Sequence, residues 1–404
     1  MTETKIIVLD DDPTGSQTVH SCLLLTRWDT ATLREALADD APLFFVLTNT
    51  RGMDAARASE LTREVCRNLR CALDDLAAAG RSIQPLLVSR SDSTLRGHYP
   101  VETDVIAEEL GPFDAHFLVP AFFEGGRVTV DSVHYIETDG ERARVDQTEF
   151  ARDSVFGFST SFLPDYVAEK TRGRIPSSSV ERFLLADVRG DVRQRLAKLG
   201  GNVCCAVDCE RQADLDGFTA QVLEAVAAGK RFLFRSGASL LTSLAGLPPQ
   251  PVAAEAMHRY RRSDAPGAVL VGSHVRKSTD QLNRLLSEPG VRPVEVDVDR
   301  IADERDPLLT EVVDKVAAIH ADGLTPVIYT SRTERTFSDQ ATRLAFGEQV
   351  SGFLMDGAPP AADTELPHQQ GRHHLQRCAE RRPGPSPRPG PGTDSAGLLG
   401  RSLP

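Results

Sequence analysis

The sequence predicts an α/β chain of two domains, each a largely parallel sheet flanked by helices, with the active site in the cleft between them. Three observations lead there. Short apolar runs alternate with longer stretches whose apolar residues recur every three or four positions, which reads as strand and amphipathic helix in turn. Polar clusters follow several of the apolar runs, at the edge where open α/β sheets bind ligands. Proline-dense segments at 246–251 and 264–267 mark a hinge.

Taken in order, residues 6–9 are four apolar residues of a buried strand that ends on Asp10, Asp11 and Asp12. Helical spacing over 31–38 precedes a strand at 43–47, and 55–79 predicts a long helix. Strands at 85–89 and 116–119 come next. Around 128–135 the pattern changes to the two-residue alternation of a β-hairpin, an insertion beside the first site. Helices at 192–199 and 215–228 flank a strand at 203–207, and 231–234 closes the first domain's strands. Beyond the hinge, strands at 268–271, 294–296 and 326–329 alternate with helices at 278–286 and 309–320. The domains are therefore 1–245 and 267–356, joined by a linker at 246–266.

Residues 357–404 do not belong with the rest. They hold nine Pro and seven Gly and lack Ile, Val, Phe, Tyr and Trp, so they cannot build a core strand and read as a disordered tail. The genetic code offers a sharper account. Residues 366–378 can be encoded so that a reading one base later spells Phe-Leu-Ile-Ser-Lys-Gly-Gly-Ile-Thr-Ser-Asn-Asp. That is an apolar strand followed by a turn of the kind that wraps phosphates. The expectation is a frameshifted tail and an incomplete second domain.

The chain has 404 residues, 40% hydrophobic and 26% charged, enough for two separate cores. Its net charge of −12 argues against nucleic acid or an anionic membrane as partner. Seven Cys without zinc spacing fit a reducing compartment. No signal peptide precedes Ile6 and no apolar run is long enough to span a bilayer, so the expected location is the cytoplasm. A homodimer is compatible with all of this.

The chemistry gathers at strand ends. Asp10, Asp11 and Asp12, followed by Pro13, Thr14 and Gly15, suit Mg²⁺, a polyhydroxylated substrate or a carboxylate base. Arg90 to His98 supplies two arginines, an Asp, three hydroxyls and a His for a small oxygen-rich anion, and arginine forks match carboxylates. Thr48, Asn49, Thr50 and Arg51 follow another strand. His20 and His98 read as structural hydrogen-bonders, and 148–153 as a solvated turn. In the second domain, Gly272, Ser273 and His274 lie between a strand and a helix start, where backbone N–H groups hold phosphate with Ser273 and Lys277 as helpers. Thr330, Ser331 and Arg332 end a neighbouring strand.

Residues 10–18, 48–51, 91–97 and 271–277 together resemble the four-carbon acid sugar kinase family, which includes D-threonate, D-erythronate and 3-oxo-tetronate kinases. The resemblance covers residue 5 to about residue 355. It implies an N-terminal domain that holds the sugar acid, a C-terminal domain that holds ATP, and Mg²⁺-assisted transfer of the γ-phosphoryl group to the terminal hydroxyl. Carried onto this chain, Asp11 or Asp12 orients or deprotonates that hydroxyl, and Asp12, Thr14 and Gly15 line the substrate. Arg51, Asp92, Ser93, Thr94, Leu95 and Arg96 hold the acid, with Arg96 or Arg51 on its carboxylate. Gly272, Ser273, His274 and Lys277 contact the nucleotide. The family's Gly-Gly-x-Thr-Ser loop is absent as written, which predicts weak ATP binding. Two rivals remain. One is a non-catalytic sugar-acid binder. The other is a haloacid-dehalogenase-type phosphatase with Asp10 as nucleophile and Asp12 as acid/base.

Overall fold

Strand β1 (Glu3–Asp10) opens the fold and is followed by β2 (Leu23–Leu25), α1 (Thr30–Ala38), β3 (Leu43–Leu47), α2 (Ala55–Ala78), β4 (Ile83–Arg90), α3 (Val101–Leu110) and β5 (Ala115–Val119). An antiparallel insertion of β6 (Arg127–Val130), β7 (Val133–Thr138) and β8 (Glu141–Arg144) comes next. Then come α4 (Leu163–Lys170), β9 (Glu181–Phe183), α5 (Leu185–Val188), α6 (Arg193–Lys198), β10 (Val203–Val207), α7 (Gln212–Ala227), β11 (Phe232–Ser236) and α8 (Ser239–Ala245). The second half contains β12 (Val269–Val271), α9 (Arg276–Leu286), β13 (Val291–Val296), α10 (Arg305–Ala321), β14 (Thr325–Thr330) and α11 (Gln340–Gly357), and β15 (Gly400–Arg401) closes the order. This computed structural model describes residues 3–358 except 139, 249–251, 254, 257, 259–265, 275, 334 and 338, together with 400–401. The expected linker and tail lie mainly outside the described residues.

The chain divides into two compact units, Met1–Pro251 with Ser395–Pro404, and Val252–Asp394. In the first, a nine-stranded sheet has the order β15-β2-β3-β1-β4-β11-β5-β10-β9, parallel throughout except at β15. Both faces are covered, which the alternation along β1 shows directly. Ile6 and Val8 enter one core with Val88, Phe117 and Phe234, while Ile7 and Leu9 enter another with Leu87 and Leu233. Helix α2 lays Val65, Cys66, Leu69, Ala72 and Leu76 on the second core, the period its sequence predicts. Its start is fixed by Asp54, whose carboxylate accepts the Arg57 N–H at 2.8 Å.

Register places the site. Asp10 pairs with Arg90 across β1 and β4, and Arg90 with Ser236 across β4 and β11. The three chains therefore leave the sheet side by side. The predicted strand at 231–234 runs two residues further, so β11 carries Arg235 and Ser236 to this edge.

In the second unit β14 lies between β12 and β13, all parallel. Val294, Val296, Leu308, Val312, Ile328 and Phe353 form its core. Among the described residues no helix is long and apolar enough to cross a membrane.

Candidate active site

Three loops are knitted together at the C-terminal edge of the first sheet. The Asp10 carbonyl accepts the N–H groups of Thr48 and Asn49 at 2.9 and 3.2 Å, Asp11 N–H donates to Arg90 O at 3.2 Å, and Ser91 N–H donates to Ser236 O at 2.9 Å. Acidic and basic side chains then converge. Arg51 grips Asp11 with Nη2 at 2.6 Å and Nε at 3.3 Å, and reaches Asp12 with Nη1 at 3.3 Å. Asp11 also accepts the Ser91 hydroxyl at 2.5 Å and is 2% exposed.

Asp12 is more open, at 27% exposure. Burial works against its charge, but Arg51 and the hydroxyl and N–H of Thr14 hold its carboxyl below the ordinary value. Asp92 behaves likewise. Its burial is outweighed by Arg51, Arg96 and the Thr94 hydroxyl, and its carboxyl stays well below the ordinary range. Arg96 Nε donates to Asp92 at 2.6 Å.

Asp10 is different in kind. It is fully buried, its nearest cation is Arg90 at 3.4 Å, and its Oδ2 has no partner. Burial pushes its carboxyl up to about 8, with Arg90 opposing and Asp11 and Asp12 adding to the shift. Gly15 packs so close that a Cβ there would overlap both Asp10 oxygens. A carboxyl sealed in this way cannot attack a phosphate, which corrects the phosphatase reading of Asp10 and Asp12.

The loop from Ser93 to Arg96 is held by residues that the sequence reading missed. His134 on β7 donates from Nε2 to Ser93 O at 2.7 Å, and its Nδ1 meets the Thr129 hydroxyl at 2.9 Å. The Tyr166 hydroxyl donates to Leu95 O at 2.7 Å, fixing Leu95 at φ +68°. The Arg96 guanidinium lies 4.8 Å from the Phe150 ring centre and 3.6 Å from Asp153. The segment 148–153 is thus part of the site and not a solvated turn. Gly97 has φ +111°, and a Cβ there would sit 2.5 Å from Ser91 Oγ, 2.9 Å from Arg235 Nη2 and 3.0 Å from Asp11 Oδ2. His98 binds the carbonyls of Thr50 and Met53 at 3.1 and 3.0 Å, a structural role. Beside this loop is a small concavity whose lining includes Asp92, Leu95, Leu118, Tyr166 and Arg235.

In the second unit the turn after β12 is pinned from β14. Arg332 Nη2 donates to Ser273 O at 2.6 Å and to the Thr279 hydroxyl at 2.9 Å, and the Thr330 hydroxyl donates to Gly272 O at 3.3 Å. Gly272, Ser273 and His274 are exposed just before α9, and the Lys277 side chain lies outside the described atoms. Hydroxyls, a guanidinium and a helix start are the groups with which a chain can hold a nucleotide phosphate, and Ser273 and Arg332 lie at this turn. The loop expected beyond residue 357 lies outside the described residues. Among the described residues no group of three or more His, Cys, Asp or Glu is arranged to hold a metal ion. Asp11 and Asp92 are committed to arginines and Asp12 alone of the three keeps an open side, so these three side chains do not form a ready-made Mg²⁺ site.

Residues 6–244 match a family model described as a sugar-binding N-terminal domain, and residues 268–367 match one described as a nucleotide-binding C-terminal domain. A D-erythronate kinase of Heliobacterium modesticaldum is 28% identical over 220 residues, which is 52% of this chain and 46% of that protein. The chain thus spans about half the length of this curated relative. Two solved structures share the fold, each at 15% identity. One is a Haemophilus influenzae protein of the DUF1537 family, with 87% of this chain and 81% of that chain covered and a TM-score of 0.50. The other, from Salmonella typhimurium LT2, carries a provisional tRNA-synthase name, with 94% and 88% covered and a TM-score of 0.57.

Proposed function

The chain belongs to the four-carbon acid sugar kinase family, and from that premise we propose that it transfers the γ-phosphoryl group of ATP to the terminal hydroxyl of a four-carbon sugar acid. D-erythronate is the first candidate, with threonate and 3-oxo-tetronate beside it. The observation that carries the reading is the convergence of Asp11, Asp12, Arg51, Asp92 and Arg96 at one sheet edge.

The two aspartates divide the work. Asp11 is saturated by Arg51 and Ser91 and positions Arg51. Asp12, more exposed and held ionised, faces the substrate hydroxyl and accepts its proton as the oxygen–phosphorus bond forms and the bond to the ADP leaving group breaks. A carboxylate of low basicity suffices, because phosphoryl transfer proceeds through a loose transition state that demands positioning and charge neutralisation more than proton abstraction. Thr14 and Gly15 shape the loop around Asp12. Ser273 and Arg332 contact nucleotide phosphate. Mg²⁺ bound with the nucleotide would supply charge neutralisation on those phosphates.

A second reading, sugar-acid binding with little turnover, is favoured by residues 357–404. As read, they carry no Gly-Gly-x-Thr-Ser loop, and the nucleotide-binding match stops at residue 367. The test is ADP release by the full chain with ATP, Mg²⁺ and each of the three acids, beside calorimetric titration of the acids alone. Acid-dependent ADP release supports the kinase. Acid binding without ADP supports the second reading. Neither signal with any acid contradicts both.

A further inference from the structure

Two of the arginines expected to receive the substrate's carboxylate are already engaged. All three nitrogens of the Arg51 guanidinium point at Asp11 and Asp12, and Arg96 is held by Asp92, Asp153 and the Phe150 ring. Recruiting Arg51 to a ligand means giving up its hydrogen bonds to Asp11 and Asp12, which is costly beside a carboxylate as buried as Asp11.

Arg235 has no such commitment. It is 7% exposed at the end of β11, next to β4, and its Nη2 donates to the Arg96 carbonyl at 3.1 Å. Its Nη1 is buried with no hydrogen-bond partner, and the side chain lines the concavity beside Asp92, Leu95, Leu118 and Tyr166. A buried guanidinium N–H without an acceptor carries a desolvation cost that a ligand oxygen or a water relieves. The wall of Leu95, Leu118 and the Tyr166 ring is apolar, and a charged hydrogen bond made against it is stronger than one in open water. Asp92, the carboxylate on the same wall, is neutralised by Arg96 and Arg51. Gly97 keeps the Arg235 head close to Asp11, so an acid bound on Arg235 lies beside the aspartate pair.

We propose that Arg235 is the carboxylate-binding residue of the site, taking the acid end of the sugar acid in the concavity it shares with Asp92, Leu95 and Tyr166. This deepens the sugar-acid reading and rests on it. Arg51 and Arg96 then act on the hydroxylated carbons and on the aspartates, not on the carboxylate.

The experiment titrates D-erythronate and erythritol, which carries a hydroxymethyl group where the acid has its carboxylate, into the full wild-type chain, Arg235→Gln and Arg235→Lys by calorimetry. The wild type is expected to prefer the acid. Arg235→Gln should lose about tenfold or more in acid affinity while erythritol binding holds, because a charge-assisted pair is removed. Arg235→Lys should fall between, keeping the charge without the fork. Circular dichroism checks that each variant folds, and if Arg235→Gln does not, Arg235→Lys decides. A variant chain that keeps the full wild-type preference overturns the assignment of Arg235 alone. A wild-type chain that binds neither compound, or binds both equally, overturns the sugar-acid reading together with it.

Discussion

Asp10, Asp11 and Asp12 are neighbours in sequence, yet each has a separate fate set by what surrounds it. Asp10 is sealed against Gly15, Asp11 is spent on Arg51 and Ser91, and Asp12 alone keeps an open side. In a chain re-encoded one base later from residue 366, Asp12→Asn is expected to cost about two orders of magnitude in kcat/KM, roughly 2.7 kcal/mol, and Arg96→Ala a similar amount. Wild-type rates from steady-state assay would remove both residues from the site. Asp10 gives a pH signature. Its carboxyl moves from an ordinary value of 3.8 to about 8 on folding, so the folded chain takes up a proton between those limits and its stability falls as pH rises through that window. Asp10→Asn mimics the protonated form. Its urea midpoint should decline less between about pH 5 and pH 8 than the wild type's, and parallel declines would place the Asp10 charge elsewhere. The charged residues following apolar runs, Asp12, Arg51 and Arg96, were legible in the sequence because a strand end announces them. Arg235, His134, Phe150 and Asp153 were not, because each acts on the loop at 93–96 from far away in the chain and no local pattern marks it.

At the scale of elements, the site exists because β1, β4 and β11 end in register, and one glycine lets their loops close. Gly97 combines a left-handed φ with a Cβ position already crowded by Ser91, Arg235 and Asp11. Gly97→Ala is therefore expected to lower stability by about 1–3 kcal/mol, and to weaken acid binding further by pushing Arg235 and Asp11 apart. Denaturant unfolding with calorimetry measures both, and unchanged values would mean that the loop has slack. Most strands and the helices α2, α7 and α10 were readable from period alone, since buried parallel strands are continuous apolar runs and α2 keeps its stripe over many turns, whereas the short strands β2 and β9 and the 18-residue α11 were not. Helix α3 was not seen. Its first turn carries Glu102 and Asp104, and Glu102 turns inward to accept the Thr50 hydroxyl, so polarity and burial disagree there. Helix α8 is seven residues long, too short for a period to show.

Across the whole molecule, the alternation of strand and helix determined the fold class, whereas the partition between an acid-binding and a nucleotide-binding half rests on motifs and family membership. The second half makes its own prediction. Shifting the reading frame by one base at residue 366 supplies a Gly-Gly-Ile-Thr-Ser turn, and ATP should then bind more tightly than to the chain as read, as measured by nucleotide displacement. Equal affinity would show that Ser273 and Arg332 suffice. The account as a whole turns on where the sugar acid sits, and the most direct measurement is a crystal structure of the full chain grown with D-erythronate. The acid is expected at the C-terminal ends of β1, β4 and β11, with its terminal hydroxyl at Asp12 and its carboxylate at Arg235. An acid bound elsewhere, or none at saturating concentration, would contradict it.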